Sequence, residues 1–202
     1  MRVIVTCGPS YEPIDEVRRI TNFSTGELGL RLTRQLRTAG HEVICFRGEA
    51  ATWHDPATAS VPFSTNDDLL AKLGAVAATG GVDAVFHAAA LADFRVERPR
   101  AERKIASRAG ELILTLVPAT KLLGQLRGLF PSARIVGWKY ELDDTREDAL
   151  AMGRAQITNW GTDACVVNGI AYGAGYGFLS GDGTLVHLID KAALCNWLVD
   201  WL

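Results

Sequence analysis

The chain has 202 residues, 48% of them hydrophobic and 22% charged, enough to bury a full core as a single domain over residues 1–202. Twenty-one basic against 23 acidic side chains leave a formal net charge of -2, which argues against nucleic acid or an anionic membrane as a partner. No apolar run approaches the roughly 20 residues that span a bilayer, the chain opens on the strand-like Val3, Ile4 and Val5, and a cytoplasmic protein is expected.

Short apolar runs alternate with helical patterns along the whole chain, the mark of an α/β domain with a largely parallel sheet. Residues 2–7 read as a strand covered on both faces. Residues 8–25 are too rich in Pro, Asp and Ser for a regular element. Leu28, Leu30, Leu32, Leu36 and Ala39 then fall at helical spacing, with Gly40 as the stop. A second strand is expected over 41–46. Asn66 opens a capped helix with Asp67 and Asp68 in its first turn and Gly80-Gly81 at its end. Residues 82–91 predict a third strand running into Ala88-Ala89-Ala90, followed by a polar loop over 93–109. Alternation predicts a half-exposed strand over 111–117, and leucines at 122, 123, 126 and 129 predict a helix over 120–130. Strand 135–140, helix 145–159, strand 164–168 and a glycine-rich loop follow. The chain closes with a hairpin about Gly181-Asp182-Gly183, a strand through 185–189 and a helix from Lys191.

In such a sheet, ligands bind beyond the carboxyl ends of the strands. The segment from Thr21 to Gly29 places Asn22, Ser24, Thr25 and Gly26 just ahead of a helix, where unpaired N–H groups favour a phosphate; an ordinary helix cap fits the same residues. No Gly-Lys-Ser/Thr loop and no GxGxxG fingerprint is present, which disfavours a Walker A site and an NAD(P)-linked oxidoreductase. A second cluster runs from His87 through Ala89 and Ala90 to Asp93, where the carboxylate either serves a magnesium ion or ligand hydroxyl or begins a turn. Lys104 is by default a solvated loop lysine. Trp138 ends a strand and either walls a base pocket or packs a core, and Asn168 ends another strand. The four histidines, His41, His54, His87 and His187, are dispersed with no HExxH. The four cysteines, Cys7, Cys45, Cys165 and Cys195, show no CxxC, so neither zinc nor a disulfide framework is expected.

The stretch Gly8-Pro9-Ser10-Tyr11-Glu12-Pro13-Ile14-Asp15, followed by Asn22-Phe23-Ser24-Thr25-Gly26, resembles the phosphopantothenoylcysteine synthetase family. Ala89-Ala90-Leu91-Ala92-Asp93-Phe94, Lys104-Ile105, Val166-Val167-Asn168 and Asp190-Lys191 extend the resemblance over nearly the whole chain. It implies a Rossmann-like open, mostly parallel sheet with helices on both faces, commonly dimeric. It also implies a ligase of coenzyme A synthesis that activates the carboxylate of 4'-phosphopantothenate with CTP or ATP and Mg2+. Diphosphate leaves, and the amine of cysteine displaces the nucleotide from the acyl-nucleotidyl intermediate.

Transferred residue by residue, Asn22 contacts the acyl intermediate. Ser24, Thr25 and Gly26 hold phosphates, Ala89, Ala90 and Asp93 the nucleotide or its metal, and Lys104 the triphosphate. Asn168 matches the family's strand-end Asn, and Trp138 lies in its Gly-Phe segment. The chain departs from the pattern in placing Glu27 beside the phosphate loop, and Gln156 and Trp160 where the family carries two lysines for the triphosphate. Arg154 and Lys139 are candidates to replace them. No flavin is expected on this chain, and a decarboxylase would be a separate partner. The rival reading is a non-catalytic or repurposed nucleotide-binding protein of the same fold.

Overall fold

The computed structural model describes residues 1–99, 103–106 and 110–202. In chain order its elements are β1 (Arg2–Cys7), β2 (Tyr11–Pro13), β3 (Arg19–Thr21), α1 (Glu27–Thr38), β4 (Glu42–Gly48), β5 (Val61–Phe63), α2 (Asn66–Thr79) and β6 (Ala84–His87). They continue with β7 (Phe94–Val96), β8 (Leu116–Pro118), α3 (Leu123–Leu129), β9 (Arg134–Tyr140), α4 (Arg146–Trp160), β10 (Ala164–Asn168), β11 (Tyr176–Ser180), β12 (Leu185–Leu188) and α5 (Lys191–Trp201). No helix among the described residues is long and apolar enough to cross a membrane.

Eight strands form one sheet in the order β12-β11-β10-β9-β6-β1-β4-β5. From β5 to β10 every pairing is parallel; β11 and β12 add an antiparallel edge. The six parallel strands have the doubly wound Rossmann order, with the connections reversing direction between β1 and β6. At that reversal, at the carboxyl end of the sheet, the loop after Cys7 and the loop after His87 lie side by side and both line one cleft.

Strand alternation sends one set of side chains to each face. Val3, Val5, Phe86, Val136 and Val166 pack under α1 and α5, against Leu32, Leu36, Leu194 and Leu198. Ile4, Val85 and Ile135 pack on the other face against Leu69 and Leu73 of α2 and Leu126 of α3. Burying each such side chain contributes about 1.5–3 kcal/mol over leaving it in water. Helix α4 covers Cys165 and Val167 on this second face. It starts in a reciprocal capping box between Thr145 and Asp148 and ends at Gly161, whose φ of 62° suits glycine.

The predicted α/β order holds, and the differences are local. Residues 8–25 contain the β2–β3 hairpin. The strand expected over 111–117 is confined to Leu116–Pro118, because only these residues pair with β7, itself inside the expected polar loop. Residues 100–102 and 107–109 of that loop lie outside the described residues. Thr65, not Asn66, caps α2: its side chain accepts from Asp68 N–H at 3.1 Å, while Asn66 is buried inside the first turn.

Candidate functional site

The loop after β1 and the loop after β6 are zipped together. Ala88 N–H donates to Thr6 O at 3.0 Å, Ala90 N–H to Gly8 O at 3.0 Å, and Ala92 N–H to the buried Ser10 hydroxyl at 2.8 Å. Glycine is required at position 8, where φ is 75° and a Cβ would stand 2.8 Å from that of Ala51. Above this floor lies a cleft of about 760 Å³. Its walls come from the start of α1, the Ala88 to Asp93 segment, the approach to α3, the end of β9 and the inner face of α4.

Gly26, φ 77°, stands at the N-cap of α1 and has no side chain with which to cap it. Thr25 Oγ1 accepts from Glu27 N–H at 3.3 Å, and Thr25 O accepts from Trp53 N–H at 3.0 Å. The first turn therefore presents backbone N–H groups and the positive end of the helix dipole to the cleft, the arrangement that suits an anion. Glu27 does not fill this cradle. Its carboxylate pairs with Lys191, at the first position of α5, and with Arg31 at 2.8 Å. The Lys191 hydrogen bond is the main reason its carboxyl is held below the usual range.

Asn22, Ser24, Thr25, Gly26, Ala89, Ala90, Asp93, Trp138 and Asn168 all line the cleft. Asn22 Nδ2 donates to Leu91 O at 2.9 Å, fixing the amide against the Ala89 to Asp93 wall. Asp93 pairs with Lys121. Trp138 packs against the core of the α1/α5 face and also lines the cleft, and its Nε1 is buried with no partner among the described residues. Asn168 also borders a shallower cleft of about 730 Å³, joined to the first across Glu27, Tyr176 and Lys191. Lys104 is exposed and is not among the lining residues; its neighbour Ile105 is tied to Asp15.

Gln156 and Trp160, at the positions where the family pattern carries lysines, line the cleft. Gln156 is buried, with Nε2 donating to Cys165 Sγ at 3.1 Å, and it occupies the space a Cβ would need at Gly137. Trp160 lies over Gly124, 2.6 Å from where a Cβ would stand. Of the proposed substitutes, Lys139 lines the cleft, paired with Glu141 at 2.9 Å, and Arg154 does not. The residue that sequence reasoning missed is Lys121. The buried Asn66 donates to Ala92 O at 2.8 Å and to Thr120 O at 3.2 Å, and so holds the residues next to Asp93 and Lys121 in place.

No three His, Cys, Asp or Glu side chains converge as a metal cage among the described residues. Mg2+ is commonly held by substrate phosphates with one or two carboxylates, and Asp93 on the cleft wall fits that role.

The model of the DNA/pantothenate metabolism flavoprotein C-terminal domain matches residues 1–197. The chain belongs to this family. The coenzyme A biosynthesis bifunctional protein CoaBC of Thermococcus kodakarensis is 32% identical over 169 residues, 83% of this chain and 41% of that protein. The chain spans less than half the length of the curated relatives it matches first. The same fold is seen in the crystal structure of the DNA/pantothenate metabolism flavoprotein from Streptococcus pneumoniae. That structure superposes with a TM-score of 0.86 at 22% identity, covering 100% of this chain and 97% of that one. Cab2 in complex with phosphopantothenate-cysteine superposes at 0.77 and 20% identity, over 99% of this chain and 85% of its own.

Proposed function

We propose that this chain is the synthetase that joins 4'-phosphopantothenate to cysteine with CTP or ATP. The observation that carries the reading is the uncapped start of α1 facing Asn22, Asp93 and Lys121 across one cleft at the sheet's reversal point. Membership of the flavoprotein C-terminal family, and the phosphopantothenate-cysteine bound to Cab2, support it.

In the first half-reaction a carboxylate oxygen of phosphopantothenate attacks the α-phosphorus and the bond to diphosphate breaks. In the second, the amine nitrogen of cysteine attacks the acyl carbon, the nucleoside monophosphate leaves and the amine proton passes to solvent. Both steps require charge stabilisation and alignment more than a strong acid or base. Ser24, Thr25 and Gly26 receive phosphate oxygens at the start of α1. Asn22 holds the acyl group, Ala89 and Ala90 let the nucleotide approach the backbone, Trp138 and Asn168 border its pocket, and Asp93 would hold a phosphate-borne Mg2+. When bound, Mg2+ supplies positive charge to the phosphates.

Lys104 acts on the triphosphate from its own loop, and Lys121, released from Asp93, adds the charge missing at Gln156 and Trp160. The free edge of β12 is the proposed contact of a homodimer.

The test is diphosphate release from CTP or ATP with phosphopantothenate, with and without cysteine. Release with either nucleotide supports the ligase. The buried Gln156 and the packed Trp160 favour a second reading, a nucleotide-binding protein without catalysis, for which a nucleotide raises the melting temperature and no diphosphate appears.

A further inference from the structure

His87 is a buried histidine to which the roles above give nothing to do. It ends β6 beside the reversal point and lines the cleft, although the residue is only 6% exposed. Its Nδ1 lies 2.7 Å from the hydroxyl of Thr6, its register partner on β1. Thr6 is fully buried, and its hydroxyl has no other hydrogen-bond partner among the described residues.

Two arrangements of the shared proton are available. If Nδ1 carries the ring proton, Thr6 accepts it, and the threonine's own proton is left in the core without an acceptor, at a cost of about 1–3 kcal/mol. If Thr6 donates to Nδ1, nothing is orphaned and the ring proton sits on Nε2. That nitrogen has no hydrogen-bond partner among the described residues and is not among the buried, unpartnered nitrogens, so it opens on the cleft. Its surroundings are uncharged on the β9 side: Gly137 is its register partner there, and Gln156 lies against Gly137. The titratable side chains that line the cleft from the flanking strands are Cys7 on β1 and Lys139 and Tyr140 on β9, and Lys139 is paired with Glu141. Burial alone pushes the imidazole down to about 4, so it carries no charge near neutral pH.

We propose that His87 is a substrate-binding residue that presents a fixed, uncharged Nε2–H donor to an oxygen of the bound substrate, with Thr6 as the positioning residue that sets its tautomer. An N–H held in place before the ligand arrives costs little reorganisation, and without a charge it does not compete with the lysines for phosphate. The oxygen belongs either to the carboxyl-bearing substrate or to the nucleotide. Which substrates are tried rests on the synthetase reading; the tautomer does not.

The experiment is NMR of the full chain labelled with 15N-histidine, from pH 5.5 to 8, alone and with 4'-phosphopantothenate, CTP or ATP. His87 is expected to show the Nε2–H pattern throughout without titrating, and to shift with one class of ligand while His54 does not. The responding ligand identifies the source of the oxygen. In Thr6→Val the tautomer pattern should become mixed. His87→Leu should weaken that ligand about tenfold, equivalent to about 1.4 kcal/mol, and His87→Gln should recover most of the loss. An Nδ1–H pattern, or titration within this range, overturns the proposal. Ligands that raise the melting temperature and leave the His87 signal unmoved overturn it too, with the synthetase reading intact. No binding by any of the three overturns both. The wild-type spectra decide the question even if His87→Leu does not fold.

Discussion

The carboxylate of Asp15 accepts a hydrogen bond from the backbone N–H of Ile105 at 3.0 Å, joining segments ninety residues apart. Its other oxygen accepts from the N–H groups of Val17 at 3.0 Å and Arg18 at 2.8 Å, while the Arg18 guanidinium pairs with the oxygen that Ile105 N–H reaches and donates to Ile105 O at 3.2 Å. The Glu12-Pro13-Ile14-Asp15 motif thereby acquires a physical purpose: it anchors the segment that carries Lys104. Burial pushes the Asp15 carboxyl up, but the N–H of Ile105 leads a set of hydrogen bonds that outweighs it and holds the group at about 2. Since this lies below the ordinary value of about 3.9, the anchor is complete above about pH 4 and is lost as the pH falls through about 2. The amide signal of Ile105 should titrate with a midpoint near 2 and should not titrate in Asp15→Asn. A midpoint near 4 in the wild type would show that the carboxylate is not held.

Asn66 and Lys121 separate building the cleft from filling it. Asn66→Ala removes the donor to two carbonyls and should cost about 1–3 kcal/mol, lowering the melting temperature by roughly 2–12 °C for a chain of this size. Lys121→Ala removes an exposed side chain and should leave the melting temperature nearly unchanged, while weakening nucleotide binding roughly five- to tenfold, about 1 kcal/mol. The gain from a charge-assisted bond is reduced because Lys121 must first leave Asp93. Calorimetry of both variants with CTP and ATP tests this; nucleotide affinity unchanged in Lys121→Ala would remove it from the triphosphate site.

Gly29 allows α1 to lie directly on β1, since a Cβ there would collide with the side chain of Cys7. Gly29→Ala should destabilise the chain by about 1–3 kcal/mol through overpacking, and should misplace the phosphate cradle with it. Urea denaturation checks the first effect, and a stable variant would show that the helix moves away at little cost.

The sheet was legible because parallel strands buried on both faces are written as apolar runs: residues 2–7 and 164–168 appear at their predicted bounds. Elements that pair over only three residues were not. β5 includes Pro62, and β2 and β3 pair only with each other, so no periodicity develops. At the site, Asn22, the cradle and Asp93 stood in recognisable motifs. Lys121 did not, because it takes its meaning from Asp93 on another segment, and His87, although it opened the second cluster, gave no sign of its partner Thr6 far along the chain. The burial of Gln156 on Cys165 was equally hidden, for helical spacing does not say which face of α4 meets the sheet.

The exposed edge of β12 supports the proposed dimer. Leu185 is 41% exposed and Ile189, just beyond the strand, is 76% exposed, an apolar edge of the kind proteins usually cover. Leu185→Lys should shift light scattering toward the monomer without altering the fold by circular dichroism. A wild type that is already monomeric at micromolar concentration would remove the dimer from the account.

Lys104 and Asn22 are expected to act at different stages, because the charge that moves in each stage is different. While diphosphate departs, negative charge builds on the leaving phosphates and a cation is needed; once it has gone, a neutral acyl group must be held for the cysteine amine. Lys104→Ala should therefore slow diphosphate release by about 2–4 kcal/mol in activation free energy, the scale found when a transition-state donor is removed. Asn22→Ala should still release diphosphate but pass the acyl group poorly to cysteine, so that the ratio of product to diphosphate falls. Diphosphate and product are measured together, with and without cysteine, for both variants and the wild type. Equal losses of both in Asn22→Ala would assign the amide to substrate binding throughout. Undiminished release in Lys104→Ala would leave the triphosphate to Lys121 and Lys139, which line the cleft together with Gln156 and Trp160.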